Sequence, residues 1–328
     1  MLCYRLQIAE ATAQMRVFTD SEIRFLLHPA EVTDAIEAAF TREYSTTAVM
    51  PARTLVQVAG RGVLLVMPCY DAAVPGLGAK LLTAFDSAAQ RLQATYVLLD
   101  PVTGELRALM AANYLTDVRT AATSAVATRH MARRAAKVLG VFGTGRQARS
   151  HIEVITTVRR FERVLVCGSS AARSREFATT IASEFGLTVE AADAHSCASH
   201  SDVICTCTSS SSPVFQGKRL RPGTHLNLVG AFQPDKREVD SETMRRARVV
   251  VETYESALAE AGDLLIPMSE GVIGREHVVA DLHEITSGKK TGRTSEDEIT
   301  VFKNLGCALE DLVTATLAWQ KAEQRART

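Results

Sequence analysis

The stretch KVLGVFGTGRQARS, Lys137 to Ser150, decides the fold. Val138, Leu139, Val141 and Phe142 form an apolar run of strand length, and Gly143, Gly145 and Ala148 follow at G-x-G-x-x-A spacing. That spacing turns a strand into a helix and builds an anion seat: Gly143 permits the tight turn, Gly145 lets a pyrophosphate approach the backbone, and Ala148 lets the helix pack closely on its strand. The helix N-terminus adds free N–H groups and a partial positive charge. A plain glycine-rich turn can share the spacing, so context decides. Arg163–Cys167 (RVLVC) supplies a second strand about twenty residues on, where a dinucleotide fold reads the adenosine ribose, and Asp202–Thr208 supplies a later apolar strand.

A chain of 328 residues has room for two domains. Lys plus Arg and Asp plus Glu each total 37, and this zero net charge argues against an electrostatic grip on nucleic acid or a membrane. A small molecule or a second copy of the chain is the expected partner. No apolar run approaches the roughly 18 residues of a membrane helix, and MLCYRLQIAEATAQMR lacks the apolar centre of a signal peptide, so a cytoplasmic protein is expected. Seven cysteines, at 3, 69, 167, 197, 205, 207 and 307, include no C-x-x-C pair and read as reduced thiols. Cys205 and Cys207 would share one strand face, too few for zinc, and His195 and His200 beside Cys197 lie in a Ser/Ala-rich loop; no metal site is expected.

In chain order, Thr19-Asp20-Ser21-Glu22 signals a helix start, and His28-Pro29 a break before a helix carrying Val32, Ile36, Ala39 and Phe40. Arg53–Val58, Gly62–Met67, Ala79–Phe85, Ala94–Asp100 and Leu106–Ala111 predict an antiparallel meander, with a turn at Pro101–Gly104. Lys80 stands among core-like residues; by position alone it is either a functional cation or a lysine snorkelling from a sheet edge. Arg53 and Arg119 pose the same question, Arg119 at the foot of a helix TAATSAVATRHMARRA. Helices after Gly145 and over Arg173–Phe185, with strands at Asp202–Thr208, His225–Val229 and Val249–Glu252, imply a parallel sheet with right-handed crossovers. A helix from Glu296 to Trp319 is expected to end the chain.

Nearly the whole chain resembles the ornithine cyclodeaminase/mu-crystallin family. The segments that carry the resemblance are Val66-Met67-Pro68, Gly78-Ala79-Lys80, Leu115–Ala122 (LTDVRTAA), Gly143–Ala148, Asp202–Thr208, Gly223–Gly230, Ala261-Gly262-Asp263 and Thr300–Gly306 (TVFKNLG). The resemblance implies an α/β protein: a Rossmann-type dinucleotide-binding domain, here residues 120–304, inserted in an α+β dimerisation and substrate domain, residues 1–119 plus 305–328. It also implies a homodimer whose sheets join in a shared barrel. Arg53, Lys80 and Arg119 match positions that hold an α-carboxylate beside a nicotinamide, with Met67, Phe232 and Leu305 as further substrate contacts. The cofactor contacts it implies are Thr95, Gly143, Gly145, Arg146, Gln147, Ser169, Ser170, Arg173, Thr208, Val229 and Asn304.

Two departures narrow the reading. Members that cyclise ornithine carry a glutamate where this chain has Leu65 and a catalytic aspartate where it has Phe232. An apolar pair offers no acceptor for an ammonium and no base. Asp235 is either a substitute catalytic acid or a solvated loop carboxylate. The expected activity is therefore reduction of cyclic imine carboxylates by a nicotinamide cofactor, as in the mu-crystallin-like ketimine reductase branch. An open-chain amino-acid dehydrogenase, ornithine cyclodeaminase and a non-catalytic dinucleotide binder are the alternatives. The second strand ends Cys167-Gly168-Ser169-Ser170 without an acid to repel a 2′-phosphate, and Arg173 follows, either as a phosphate partner or as a solvated helix residue. NADPH is the expected cofactor, with NADH accepted.

Overall fold

The computed structural model describes residues 15–85 and 92–327. Thr19 caps the helix Asp20–Leu26 in a reciprocal capping box with Glu22, as its spacing predicts. Pro29 opens the helix Pro29–Thr41, whose 3.6-residue stripe of Val32, Ile36, Ala39 and Phe40 is buried. The meander is present. Strands Gly62–Asp71, Gly76–Phe85, Leu92–Leu99 and Leu106–Ala111 pair antiparallel in sequence, and Thr54–Val58 pairs with the first of them. A short strand, Arg16–Phe18, joins the far edge in parallel.

Gly76–Phe85 is an interior strand, with Lys80 opposite Met67 on one side and Tyr96 on the other. The two-residue alternation sends Gly76, Gly78 and Lys80 to the covered face of the sheet. The C-terminal helix Ala308–Ala326 packs on that face. Lys80 is 1 % exposed, so it is not a lysine snorkelling from an edge.

The second sheet has eight parallel strands in the order Val189–Ala191, Arg163–Cys167, Val138–Phe142, Val203–Thr206, His225–Leu228, Ile299–Lys303, Ala247–Val251 and Val278–Asp281. The chain starts at Val138–Phe142, runs outward to Val189–Ala191, and returns on the other side at Val203–Thr206. The switch point between those central strands opens a crevice at their carboxyl ends, where Gly143 and Cys207 meet.

Three expectations are corrected. The helix bearing Arg119 runs from Asn113 to Met131, so Arg119 sits in its second turn and not at its foot. This helix is buried on nearly every side, which explains its small residues and lack of a polar face. The expected helix from Glu296 to Trp319 is instead the strand Ile299–Lys303, a turn through Gly306 at φ +77°, and the helix Ala308–Ala326. All five strand residues are buried, so no alternation marks it as a strand. Cys207 lies just past the strand Val203–Thr206, so it does not share a strand face with Cys205. Cys69, Cys167, Cys197, Cys205, Cys207 and Cys307 are all free thiols, and Cys3 lies outside the described residues.

Ile36 is completely buried where the helix Pro29–Thr41 packs on Asn113–Met131. Ile36→Ala is expected to lower the unfolding free energy by about 2–5 kcal/mol. Chemical denaturation at matched protein concentration checks this, and a change under about 0.5 kcal/mol would mean that the helix does not anchor the core.

Candidate active site

A cavity of about 2400 Å³ lies between the two sheets, well beyond the roughly 300–1,000 Å³ of a typical small-ligand pocket. It has room for a dinucleotide and a second small molecule. Its floor on the parallel sheet is the glycine turn. Gly143 has φ +116°, and a Cβ there would lie 2.4 Å from the Cys207 carbonyl oxygen, so only glycine fits. A Cβ on Gly145 would meet nothing within 4 Å, which leaves the helix N-terminus at Arg146 open to an anion.

At the other end, two cations are seated on two acids. Lys80 Nζ donates to Asp311 Oδ1 at 2.9 Å, and Arg119 Nε donates to the same oxygen at 2.8 Å. Arg119 Nη1 donates to Glu310 Oε2 at 2.7 Å. Both acids are fully buried, in the first turn of Ala308–Ala326. Burial and the neighbouring Arg119 lower the Lys80 pKa to about 8, against the pull of Asp311. Burial also opposes the Arg119 charge, but Asp311 and Glu310 outweigh it and raise its pKa. These bonds use three N–H groups, so both cations keep donors for an incoming carboxylate. Leu65, Met67 and Leu82 line the cavity beside them.

Arg53 also lines the cavity, but its guanidinium is paired with Glu260 of the helix Tyr254–Glu260, on the opposite side. Phe232 and Asp235 line it as well, and both are exposed. Lys303, fully buried, braces the loop that carries Phe232, donating to the Ala231 carbonyl at 2.6 Å and to Asp263 at 2.9 Å.

Of the expected cofactor contacts, Gly143, Gly145, Arg146, Gln147, Ser169, Arg173, Thr208, Val229 and Asn304 line the cavity, as does the substrate contact Leu305. Thr95 does not: Ala94 is the cavity residue, and Thr95 points to the other face of the strand. Ser170 is also absent from the lining, its hydroxyl accepting the Arg173 N–H as the cap of Ala171–Phe185. Arg146 and Gln147 both turn onto Asp117, at 2.8 and 3.0 Å, which ties the glycine-turn helix to Asn113–Met131.

A dinucleotide fits this cavity on one further observation. Burial holds His151 neutral, with its pKa pushed down to about 4. Its Nδ1–H donates to the Gln147 carbonyl, so Nε2 accepts from Ser124 Oγ at 3.0 Å. Ser124 in turn accepts from Asn304 Nδ2 at 3.1 Å, which fixes the amide and leaves Asn304 Oδ1 buried, without a partner, in the residue lining the cavity. An orphan acceptor there suits an amide N–H₂ such as that of a nicotinamide.

Sequence reading missed Asp117, Glu310 and Asp311. Acids in a first helical turn usually serve the helix dipole at the surface, and nothing local marked Glu310 and Asp311 as buried. Asp117 lies within the LTDVRTAA segment, which was the available signal.

The fold and cavity are those of a dinucleotide-binding α/β protein with two buried, acid-paired cations at the far end of the cavity. The model of the ornithine cyclodeaminase/mu-crystallin family matches residues 13–326, and the chain belongs to that family. It is 37% identical over 319 residues to a Delta(1)-pyrroline-2-carboxylate reductase of Bacillus cereus, covering 95% of this chain and 98% of that one. It is 37% identical over 291 residues to the ketimine reductase mu-crystallin of Mus musculus, covering 87% and 89%. Among solved structures it resembles the Delta(1)-pyrroline-2-carboxylate reductase of Thermococcus litoralis in complex with NADH and L-proline. That match has a TM-score of 0.92 and 36% identity, and covers 95% of this chain and 98% of that one.

A carboxylate held by Lys80 should bind less well once that lysine loses its proton. The affinity of cyclopentanecarboxylate, which has no titratable nitrogen, is expected to fall as pH rises through about 8. In Asp311→Asn the fall should begin at lower pH, because the Asp311 charge and hydrogen bond help to retain the proton. Calorimetric titration with the dinucleotide present measures both; an affinity flat to about pH 10 would remove Lys80 from the seat.

Proposed function

We propose that the protein is an NAD(P)H-dependent reductase of cyclic imine carboxylates, of the pyrroline-2-carboxylate and piperideine-2-carboxylate type. The observation that carries this is the buried Lys80–Asp311–Arg119–Glu310 cluster facing an apolar wall in a cavity with a dinucleotide turn. Gly143, Gly145, Thr208, Val229 and Asn304 would hold the cofactor, which supplies the hydride that reduces the C=N carbon. Lys80 and Arg119 seat the carboxylate by charge-assisted hydrogen bonds. Arg53, at the rim, adds a third cation. Leu65, Met67 and Phe232 surround the ring and keep water from it. Lys80, with its acidity brought near neutrality, holds the proton that keeps the ring nitrogen charged. Asp235 is exposed in the same cavity and is the alternative proton source.

Net consumption of reduced nicotinamide with Δ1-pyrroline-2-carboxylate is the expected result, read by its absorbance. Lys80→Ala and Arg119→Ala should each lose at least about tenfold in kcat/KM, since a buried charge-assisted contact is worth on the order of 1.5–3 kcal/mol. Ornithine should be a poor substrate, because Leu65 and Phe232 leave its distal ammonium unpaired at roughly 1–3 kcal/mol. Efficient ammonia release from ornithine would overturn the assignment.

NADPH is the preferred cofactor in this reading and NADH the tolerated one. Its support is the acid-free strand end and Arg173, which is exposed at the cavity beside Ser169. Arg173→Ala is expected to weaken NADPH several-fold or more and leave NADH nearly unchanged. Tighter NADH than NADPH binding by the wild type would reverse this reading.

The protein also reads as a cytoplasmic homodimer. Val49, Val56, Tyr70 and Leu81 are exposed on the antiparallel sheet, an apolar strip suited to a second copy. No helix among the described residues is long and apolar enough to cross a membrane.

A further inference from the structure

Behind the carboxylate seat, Glu310 faces one further buried acid, Glu252, that the chemistry above leaves unused. Glu252 follows the strand Ala247–Val251 of the parallel sheet and is 1 % exposed. Its Oε2 accepts the backbone N–H groups of Leu305 and Gly306, at 2.9 and 2.6 Å. Those residues are where the chain leaves the parallel sheet for the C-terminal helix, and Leu305 lines the cavity. Gly306 presses directly on Arg119: a Cβ there would lie 2.3 Å from Nη1. Glu310, fully buried, accepts from that same Nη1 through Oε2.

Each acid keeps one oxygen with no donor. Oε1 of Glu252 and Oε1 of Glu310 are both buried and unpartnered, and the two carboxyl groups come within 4.8 Å of each other. Two bare carboxylates in that position, beside Asp311, would repel strongly in a dry site. Arg119 and Lys80 are the facing cations, and they are already balanced by Asp311 and one further charge. A proton between the two Oε1 atoms satisfies both oxygens and brings the cluster of Lys80, Arg119, Asp311, Glu310 and Glu252 to neutrality. Burial and Glu252 raise the Glu310 pKa, in keeping with this. The Cys307 thiol, within 4.8 Å of both carboxylates, is likewise pushed up by burial and stays neutral.

We propose that Glu252 and Glu310 share one proton and together act as positioning residues for Arg119. Through this pair the Leu305–Gly306 peptide, the last strand connection of the dinucleotide sheet and the carboxylate seat are locked as one unit. This rests on the carboxylate-binding role of Arg119 given above, but its first readout needs no substrate.

Infrared difference spectra of the wild type against Glu310→Gln and against Glu252→Gln should each show loss of one protonated carboxyl stretch at neutral pH, shifted in D₂O. The second readout is the affinity for cyclopentanecarboxylate with NADH bound. In either single variant an amide N–H₂ replaces the shared proton and donates to the remaining carboxylate, so the loss should be modest, about threefold. In the double variant both amide oxygens are taken, by Arg119 and by the 305–306 N–H groups, and two N–H₂ groups face each other. Its loss should exceed the product of the singles by roughly tenfold. Absence of the carboxyl band, multiplicative losses, or one equivalent of tightly held metal by elemental analysis would each overturn the shared proton. If the double variant fails to fold, the spectra of the single variants still decide. Failure of the imine assay with the band present would fault the proposed substrate and leave the pair intact.

Discussion

One carboxylate, Asp311, holds the centre of this molecule together. It accepts from Lys80 on the antiparallel sheet and from Arg119 on the long buried helix, so three elements remote in sequence converge on a single oxygen. Two buried cations could not stand together without it, and neither acid of the C-terminal helix could be buried without them. The site is costly to build, and its donors are already aligned before any ligand arrives. Preorganisation of this kind puts the cost into folding instead of into binding.

The parallel sheet works by the opposite means. Its contribution to the cavity is mostly backbone: an open glycine turn, a helix N-terminus and a switch point between two central strands. The long helix Asn113–Met131 joins the two regimes. Its Asp117 grips Arg146 and Gln147 at the glycine turn, while Arg119, two residues on, is bonded to Asp311 and Glu310 at the other end of the cavity. Residues two apart on a helix point to different sides, so one helix serves both ends of the cavity.

The buried polar chain from His151 through Ser124 to Asn304 shows how far a single protonation state reaches. A neutral imidazole sets the direction of one hydroxyl, the hydroxyl sets the direction of one amide, and the amide presents an acceptor to the cavity. The helix residues flanking Ser124 are mostly small, Ala121, Ala122, Ala125 and Ala127, which lets backbone and polar atoms approach closely.

Much of this was legible in the sequence by itself. Local rules carried the capping box at Thr19, the stripe of the helix Pro29–Thr41, the strand alternation of the meander and the glycine turn at Gly143, since each depends on neighbours within a few residues. The segments LTDVRTAA and TVFKNLG carried part of the family resemblance, and that resemblance gave Arg119, already singled out by its position, an expected role. What tertiary structure alone decided was burial and pairing over long separations. The strand Ile299–Lys303 is apolar on both faces, so no periodicity distinguishes it from a helix until its place between two other strands is known. Glu310 and Asp311 look like ordinary acids of a first helical turn until the sheet brings Lys80, and the helix Asn113–Met131 brings Arg119, into contact with them. Arg53 meets Glu260 across more than two hundred residues of chain, and Thr95 is turned from the cavity by the pleat. Local sequence carries propensity and period, whereas the partner of a buried charge is set by which distant surfaces the fold presses together.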